Sequence, residues 1–214
     1  MKIAIFGASS KESIGYFVGN SFSENGNAVV YASRSGSLGV KCDINDPESV
    51  SSFLKEEMPD IVINAAGVFS PPQKLGQITE WESVRAHILA KSFGNLVLVD
   101  SSQRFGVKKL IVFGGRALSS HPGFVQYAIG NGAAWALVAF AARYNVLHIT
   151  YIDLPLIRNS NMGKLYLASE PEDQRVEINR TAVDVEDVMK AVQDIIDDKH
   201  VSGSRVILSE KSNL

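Results

Sequence analysis

The feature that most constrains this chain is an alternation. Short apolar, β-branched runs alternate with longer amphipathic ones along all 214 residues. The strand-like runs are Lys2 to Phe6, Ala28 to Ala32, Gly39 to Cys42, Ile61 to Asn64, Leu110 to Phe113, Leu147 to Ile152 and Arg205 to Leu208. Most are apolar at every position, the mark of strands covered on both faces. Between them the pattern predicts helices over Ile14 to Glu24, Pro47 to Glu57, Glu80 to Phe105, Val125 to Tyr144 and Val185 to Asp198. Asp46-Pro47 is a start signal, an N-cap followed by proline at the first helical position. Asp184 with Asp187 resembles a capping box. Strand and helix in alternation imply an α/β fold, a doubly wound parallel sheet of about seven strands in three αβα layers. No linker or repeat divides the chain, so residues 1–214 read as one domain. The stretch from Arg158 to Arg180 lacks a clean period and reads as a substrate loop or lid.

In such a sheet, ligands bind beyond the carboxyl ends of the strands. After the first strand comes Gly7-Ala-Ser-Ser-Lys-Glu-Ser-Ile-Gly15. Gly7 permits a tight turn, and Gly15 permits close helix–strand packing or the approach of a pyrophosphate. Ser9, Ser10 and Ser13 offer hydroxyls, and Ile14 opens a helix whose positive end favours an anion. After the second strand comes Ser33-Arg34-Ser35. A domain selecting NAD would usually carry an acid there for the ribose hydroxyls. Arg34 and its flanking serines instead favour a 2′-phosphate, hence NADP over NAD. Asp43-Ile44 follows the third strand, and Asn64-Ala65-Ala66-Gly67 closes the fourth with small residues that let a ligand approach the backbone.

These residues carry a family resemblance. The chain resembles a short-chain dehydrogenase/reductase, with a Rossmann-like nucleotide-binding fold. The matching elements, in order, are the glycine-rich turn, Asp43, Asn64 to Gly67, Tyr127 early in a small-residue helix, Pro155 to Ser160 after the sixth strand, and Val201-Ser-Gly203. The resemblance implies that Asp43 holds adenine and Asn64 stabilises the central sheet. It also implies that Pro155, Ile157 and Ser160 wrap the nicotinamide end. The spacing of Gly7 and Gly15 around Ser13-Ile14 is similar to the divergent enoyl-reductase branch, although Ala134 stands where that branch has its lysine.

The chemistry of that family uses a tyrosine as proton donor, a lysine that favours its phenolate and holds ribose, and a serine that orients the substrate. Tyr127 fits the tyrosine position. Asn131 stands in place of the lysine four residues on, and Gly114 or Gly115 in place of the serine. Ile88 or His87 aligns with the asparagine of the family's relay. Lys91, one turn beyond His87, is a candidate for the missing charge. Ser119 or Ser120 could replace the serine, and Arg116 could bind an acidic substrate. The expectation is an NADP-dependent oxidoreductase of a small carbonyl or alcohol, with a non-catalytic NADP-binding sensor, regulator or assembly protein as the alternative.

The remaining features bear on partners. A formal net charge of -2 gives no electrostatic reason to expect nucleic acid or an anionic membrane. The single cysteine, Cys42, fits a reducing cytoplasm. No metal-ligand pattern is present. The helix from Gly132 to Ala142 is apolar nearly all round, so its outer face is expected to meet a second subunit. By resemblance, the helices at 80–105 and 125–144 pair in a homodimer or homotetramer.

Overall fold

The structure is a computed structural model, and it describes residues 1–71, 73–115, 124–169, 172, 175 and 182–208. The expected sheet is present. Seven parallel strands, β1 (Lys2–Phe6), β2 (Ala28–Ser33), β3 (Val40–Lys41), β4 (Ile61–Asn64), β5 (Lys109–Gly115), β6 (His148–Leu154) and β7 (Arg205–Ile207), lie in the order β3-β2-β1-β4-β5-β6-β7. The chain reverses direction of build at β1, so the switch point falls between β1 and β4.

Each strand sends alternate side chains to opposite faces, and each face has its own core. Ala4, Phe6, Val62, Leu110 and Val112 meet α2 (Pro47–Glu57), α4 (Phe93–Arg104) and α5 (Val125–Arg143) on one side. Ile3, Ile5, Ile63 and Ile111 meet α1 (Ile14–Glu24) and α7 (Val185–Ile196) on the other. The three layers follow directly from strands that are apolar at every position. α5 is long and apolar enough to cross a membrane by length and composition. Here it supplies Ala134, Val138 and Ala141 to the core beneath the sheet.

Three local expectations are corrected. The predicted helix from Glu80 to Phe105 is two helices, α3 (Trp81–Lys91) and α4, broken at Ser92. The Ser92 hydroxyl donates to the Ile88 carbonyl, which also accepts the Ser92 amide at 2.8 Å, and serine back-bonding of this kind bends helices. Part of the expected loop after Arg158 is a helix, α6 (Asn161–Ser169). Asp184 makes no side-chain cap; its carboxylate pairs with Arg158 at 3.0 Å instead. The Asp46 cap is as expected, accepting from the Glu48 amide at 3.0 Å ahead of Pro47.

Candidate active site and nucleotide cavity

Gly7 adopts φ +92, and a Cβ there would lie 2.4 Å from the Ala66 amide nitrogen. Only glycine lets the turn after β1 pass so close to the chain leaving β4. A Cβ at Gly15 would not fit freely either: in this structure the α1 backbone packs against Gly7 and the Ala65 methyl at 3.2–3.3 Å from that position. The two glycines therefore seat α1 against the sheet. Ser13 caps α1, accepting from the Tyr16 amide and donating to the Ser10 carbonyl, so its hydroxyl serves the turn. The Ser10 hydroxyl is buried and has no partner among the described residues. Ile14 packs under the turn against the apolar core.

Beyond these turns lies a cavity of about 480 Å³. Of the expected cofactor residues, Gly7, Ser9, Ser33, Arg34, Ser35, Ile44, Ala66 and Gly67 line it. Arg34 is exposed, and no ion pair among the described residues includes it. Ser33 bonds the Gly36 amide and the Ser35 hydroxyl, which shapes the turn around Arg34. Among the described residues no carboxylate stands at the tip of β2. Asp43 is not in the wall; its carboxylate accepts from the Asn45 amide at 2.9 Å. Asn45 itself lines the cavity, and its side-chain oxygen is buried without a donor among the described residues. That oxygen lies 3.1 Å from where a Cβ at Gly94 would be, and Asn45 was not among the expected cofactor residues. Glu82 and Arg85, from the first turn of α3, complete the wall and were also missed.

Asn64 is fully buried and structural. Its oxygen accepts from the Ala66 amide at 2.9 Å and its nitrogen donates to Asn95 at 2.7 Å. Asn95 in turn donates to the Lys91 carbonyl at 2.6 Å, which ties the end of β4 to the α3–α4 break. Ala65 packs in the core beneath. After β6, half-buried Pro155 leads to Ile157, which bridges to Val183, while Ser160 accepts from the Gly163 amide and donates to the Ile157 carbonyl. That capping bond starts α6, and the Asn161 amide then donates to the Glu12 carbonyl at 3.0 Å. The segment after β6 is thus fastened to the glycine-rich turn, and Pro155, Ile157 and Ser160 are not in the cavity wall.

A Cβ at Gly114 would lie 1.7 Å from the hydroxyl of buried Tyr151, so of the two glycines expected in the serine's place Gly114 has no room for a side chain, whereas a Cβ at Gly115 would meet only the Asn131 amide nitrogen at 3.2 Å and the Leu154 carbonyl at 3.7 Å. Burial and the nearby Asp153 charge push the Tyr151 phenol well up, away from ionisation. Asn131 donates to the Gly115 carbonyl at 3.2 Å, and its own oxygen is buried without a partner among the described residues. Gly114, Gly115, Asn131 and Tyr151 interlock as one packing unit.

Tyr127 turns elsewhere. Its hydroxyl accepts from the Ser70 amide at 3.2 Å and lies 3.3 Å from the Ser70 carbonyl. Burial raises its pKa. Gln126 beside it is fully buried and donates to the Pro71 carbonyl at 2.8 Å. The His87 ring centre lies 4.0 Å from that of Tyr127 at a tilt of 52°, and its Nδ1 donates to the Val68 carbonyl at 2.7 Å. Burial holds His87 neutral, with a pKa lowered to about 4, so its buried Nε2 carries a bare lone pair with no donor among the described residues. These groups clamp the segment that follows β4.

Lys91 is buried, and its ammonium donates to the Phe113 carbonyl at 2.7 Å. Burial lowers its pKa to about 8. The structure does not join Tyr127, Lys91 and Asn131 into a relay: the first holds Ser70, the second the end of β5, the third Gly115. Arg116, Ser119 and Ser120 lie outside the described residues.

The family model for the NAD dependent epimerase/dehydratase family matches residues 13–122, just over half of the chain. The chain belongs to that family. The resemblance to short-chain dehydrogenases/reductases stands beside it in three dimensions. A small-chain dehydrogenase in complex with NADPH matches with a TM-score of 0.80 at 17% identity, over 97% of this chain and 96% of its own. A short-chain type dehydrogenase/reductase from Mycobacterium ulcerans gives 0.83 at 17%, over 97% and 87%. UDP-glucose 4-epimerase from Thermotoga maritima gives 0.71 at 18%, over 98% and 77%. At these identities the likeness establishes the fold. No curated protein matches the chain by sequence.

Proposed function

We propose that this family member is an NADP-dependent oxidoreductase acting on a small carbonyl or alcohol. The observation that carries the reading is the cavity at the carboxyl ends of the strands, with Arg34 in its wall and, among the described residues, no carboxylate at the tip of β2. A 2′-phosphate offers the guanidinium two oxygens in a plane, whereas a bare ribose diol offers it no anion. Gly7, Ser9 and Gly67 would hold the phosphates and Ile44 with Asn45 the adenine. The nicotinamide supplies the hydride when bound. Tyr127 is the proton donor on this reading, and its phenol must leave the Ser70 backbone to act.

A second reading has its own support. Tyr127 engages Ser70 in both directions, and Tyr151 leaves no room for a side chain at Gly114. Both favour a protein that binds NADP without transferring hydride, as a sensor, regulator or assembly subunit. Turnover of NADPH with a panel of small aldehydes and ketones separates the two. On the first reading the wild type turns over, Tyr127→Phe lowers kcat at least about a hundredfold, and Arg34→Ala raises KM for NADPH with kcat little changed. NADPH binding without turnover on any member favours the second reading.

Assembly belongs to the same proposal. Leu96 on α4, with Ile129 and Phe140 on α5, is exposed at 49%, 50% and 59%, on the helices expected to pair between subunits. Small residues between them on α5, Ala133 and Ala136, permit close helix approach.

A further inference from the structure

Among the described residues the Lys91 ammonium has one acceptor and no counter-charge. It donates to Phe113, and no carboxylate pairs with it among the described residues. An ammonium carries three donors, so two remain. Burying such a charge is unfavourable unless something supplies the missing acceptors.

Where those donors lie is set by Gly67. A Cβ built at Gly67 would sit 3.7 Å from the Lys91 ammonium and 3.6 Å from its Cε. Gly67 lines the nucleotide cavity. Lys91 is not itself in the wall, and the Met162 methyl lies 3.5 Å from the same point, so the absent side chain leaves a window between the cavity and the ammonium that Met162 borders. The position of that window along the sheet is also fixed. Arg34 stands at the tip of β2 and Lys91 reaches the tip of β5, three strands away in the order β2-β1-β4-β5. At the usual strand spacing this is roughly 14 Å. A dinucleotide with its phosphorylated adenosine at Arg34 extends its other half toward Lys91.

We propose that Lys91, through the window at Gly67, binds hydroxyl oxygens on the nicotinamide-side ribose of the dinucleotide. The charge absent from α5 at Asn131 is thereby supplied from α3. This assignment rests on the dinucleotide reading above.

The test is calorimetric titration of wild type, Lys91→Met and Gly67→Ala with two ligands. NADPH carries both halves. 2′,5′-ADP carries the adenosine and its 2′-phosphate but no second ribose. Lys91→Met removes the charge at similar length, and the Gly67→Ala methyl meets its neighbours only at ordinary contact, 3.5 Å or more, so the second variant stands even if the first misfolds. The expected result is that both variants bind NADPH about ten- to a hundredfold more weakly and 2′,5′-ADP as tightly as wild type. Unchanged NADPH affinity in either folded variant overturns the assignment, and so does an equal loss for both ligands. A wild type that binds neither ligand overturns the dinucleotide reading, and this assignment with it.

Discussion

The tips of β1, β2 and β4 and the tip of β5 are two halves of one ligand face, built by opposite means. In the first half a glycine is required by main chain: Gly7 faces the Ala66 amide. In the second a glycine is required by a side chain: Gly114 faces the Tyr151 ring. Main chain cannot be substituted away, so the nucleotide turn keeps its glycine. A side chain can be exchanged, and at the tip of β5 Tyr151, Asn131 and two glycines are fitted to one another.

The sharpest way to break this comparison is a pair of alanine substitutions followed in urea. Gly7→Ala places a Cβ against main chain in the left-handed region and is expected to lose about 4 kcal/mol or more. No second substitution of a side chain recovers it. Gly114→Ala is expected to lose about 3 kcal/mol, and the loss shrinks by more than half in a Tyr151→Ala background, because the methyl then enters the space the ring vacated. Additive losses at Gly114 and Tyr151 would refute the interlock.

Lys91 gives a smaller effect with a definite sign. Its folded pKa is about 8 against an ordinary 10.5, so the unfolded chain holds the extra proton between those values. Stability contributed by this group therefore rises as pH goes from 8 to 10.5, and below pH 8 the buried charge is a fixed penalty. Lys91→Met is expected to be more stable than wild type at pH 7 by about 2 kcal/mol. The gap closes as pH rises to 10.5. A Lys91→Met protein less stable than wild type at pH 7 would show that the ammonium is a structural strut.

The smallest effect is at Tyr127. Its two bonds to Ser70 are long, so Tyr127→Phe should lose about 1 kcal/mol in thermal or urea unfolding. No loss would mean that the clamp on the segment after β4 rests on Gln126 and His87.

The sheet was legible because burial on both faces writes itself into every strand position. Gly7 was legible because positive φ and close approach select one residue type. The break at Ser92 was not, since a serine that bonds back to Ile88 is common within helices and carries no stop signal. α6 was missed because its capping residue, Ser160, follows a stretch without apolar period. Tyr151 could not be read as the neighbour that closes off Gly114: that contact exists only once β5 and β6 pair with Val112 beside Tyr151. Asn45 was overlooked beside Asp43, whose carboxylate the local turn uses.

Dinucleotide binding with a phosphate at Arg34 is the central expectation for this protein. Titration of the wild-type protein with NADPH and with NADH measures it directly. The prediction is saturable binding of NADPH at least about tenfold tighter than NADH, a preference that Arg34→Ala abolishes. Equal affinity for the two cofactors, or binding of neither, would contradict it.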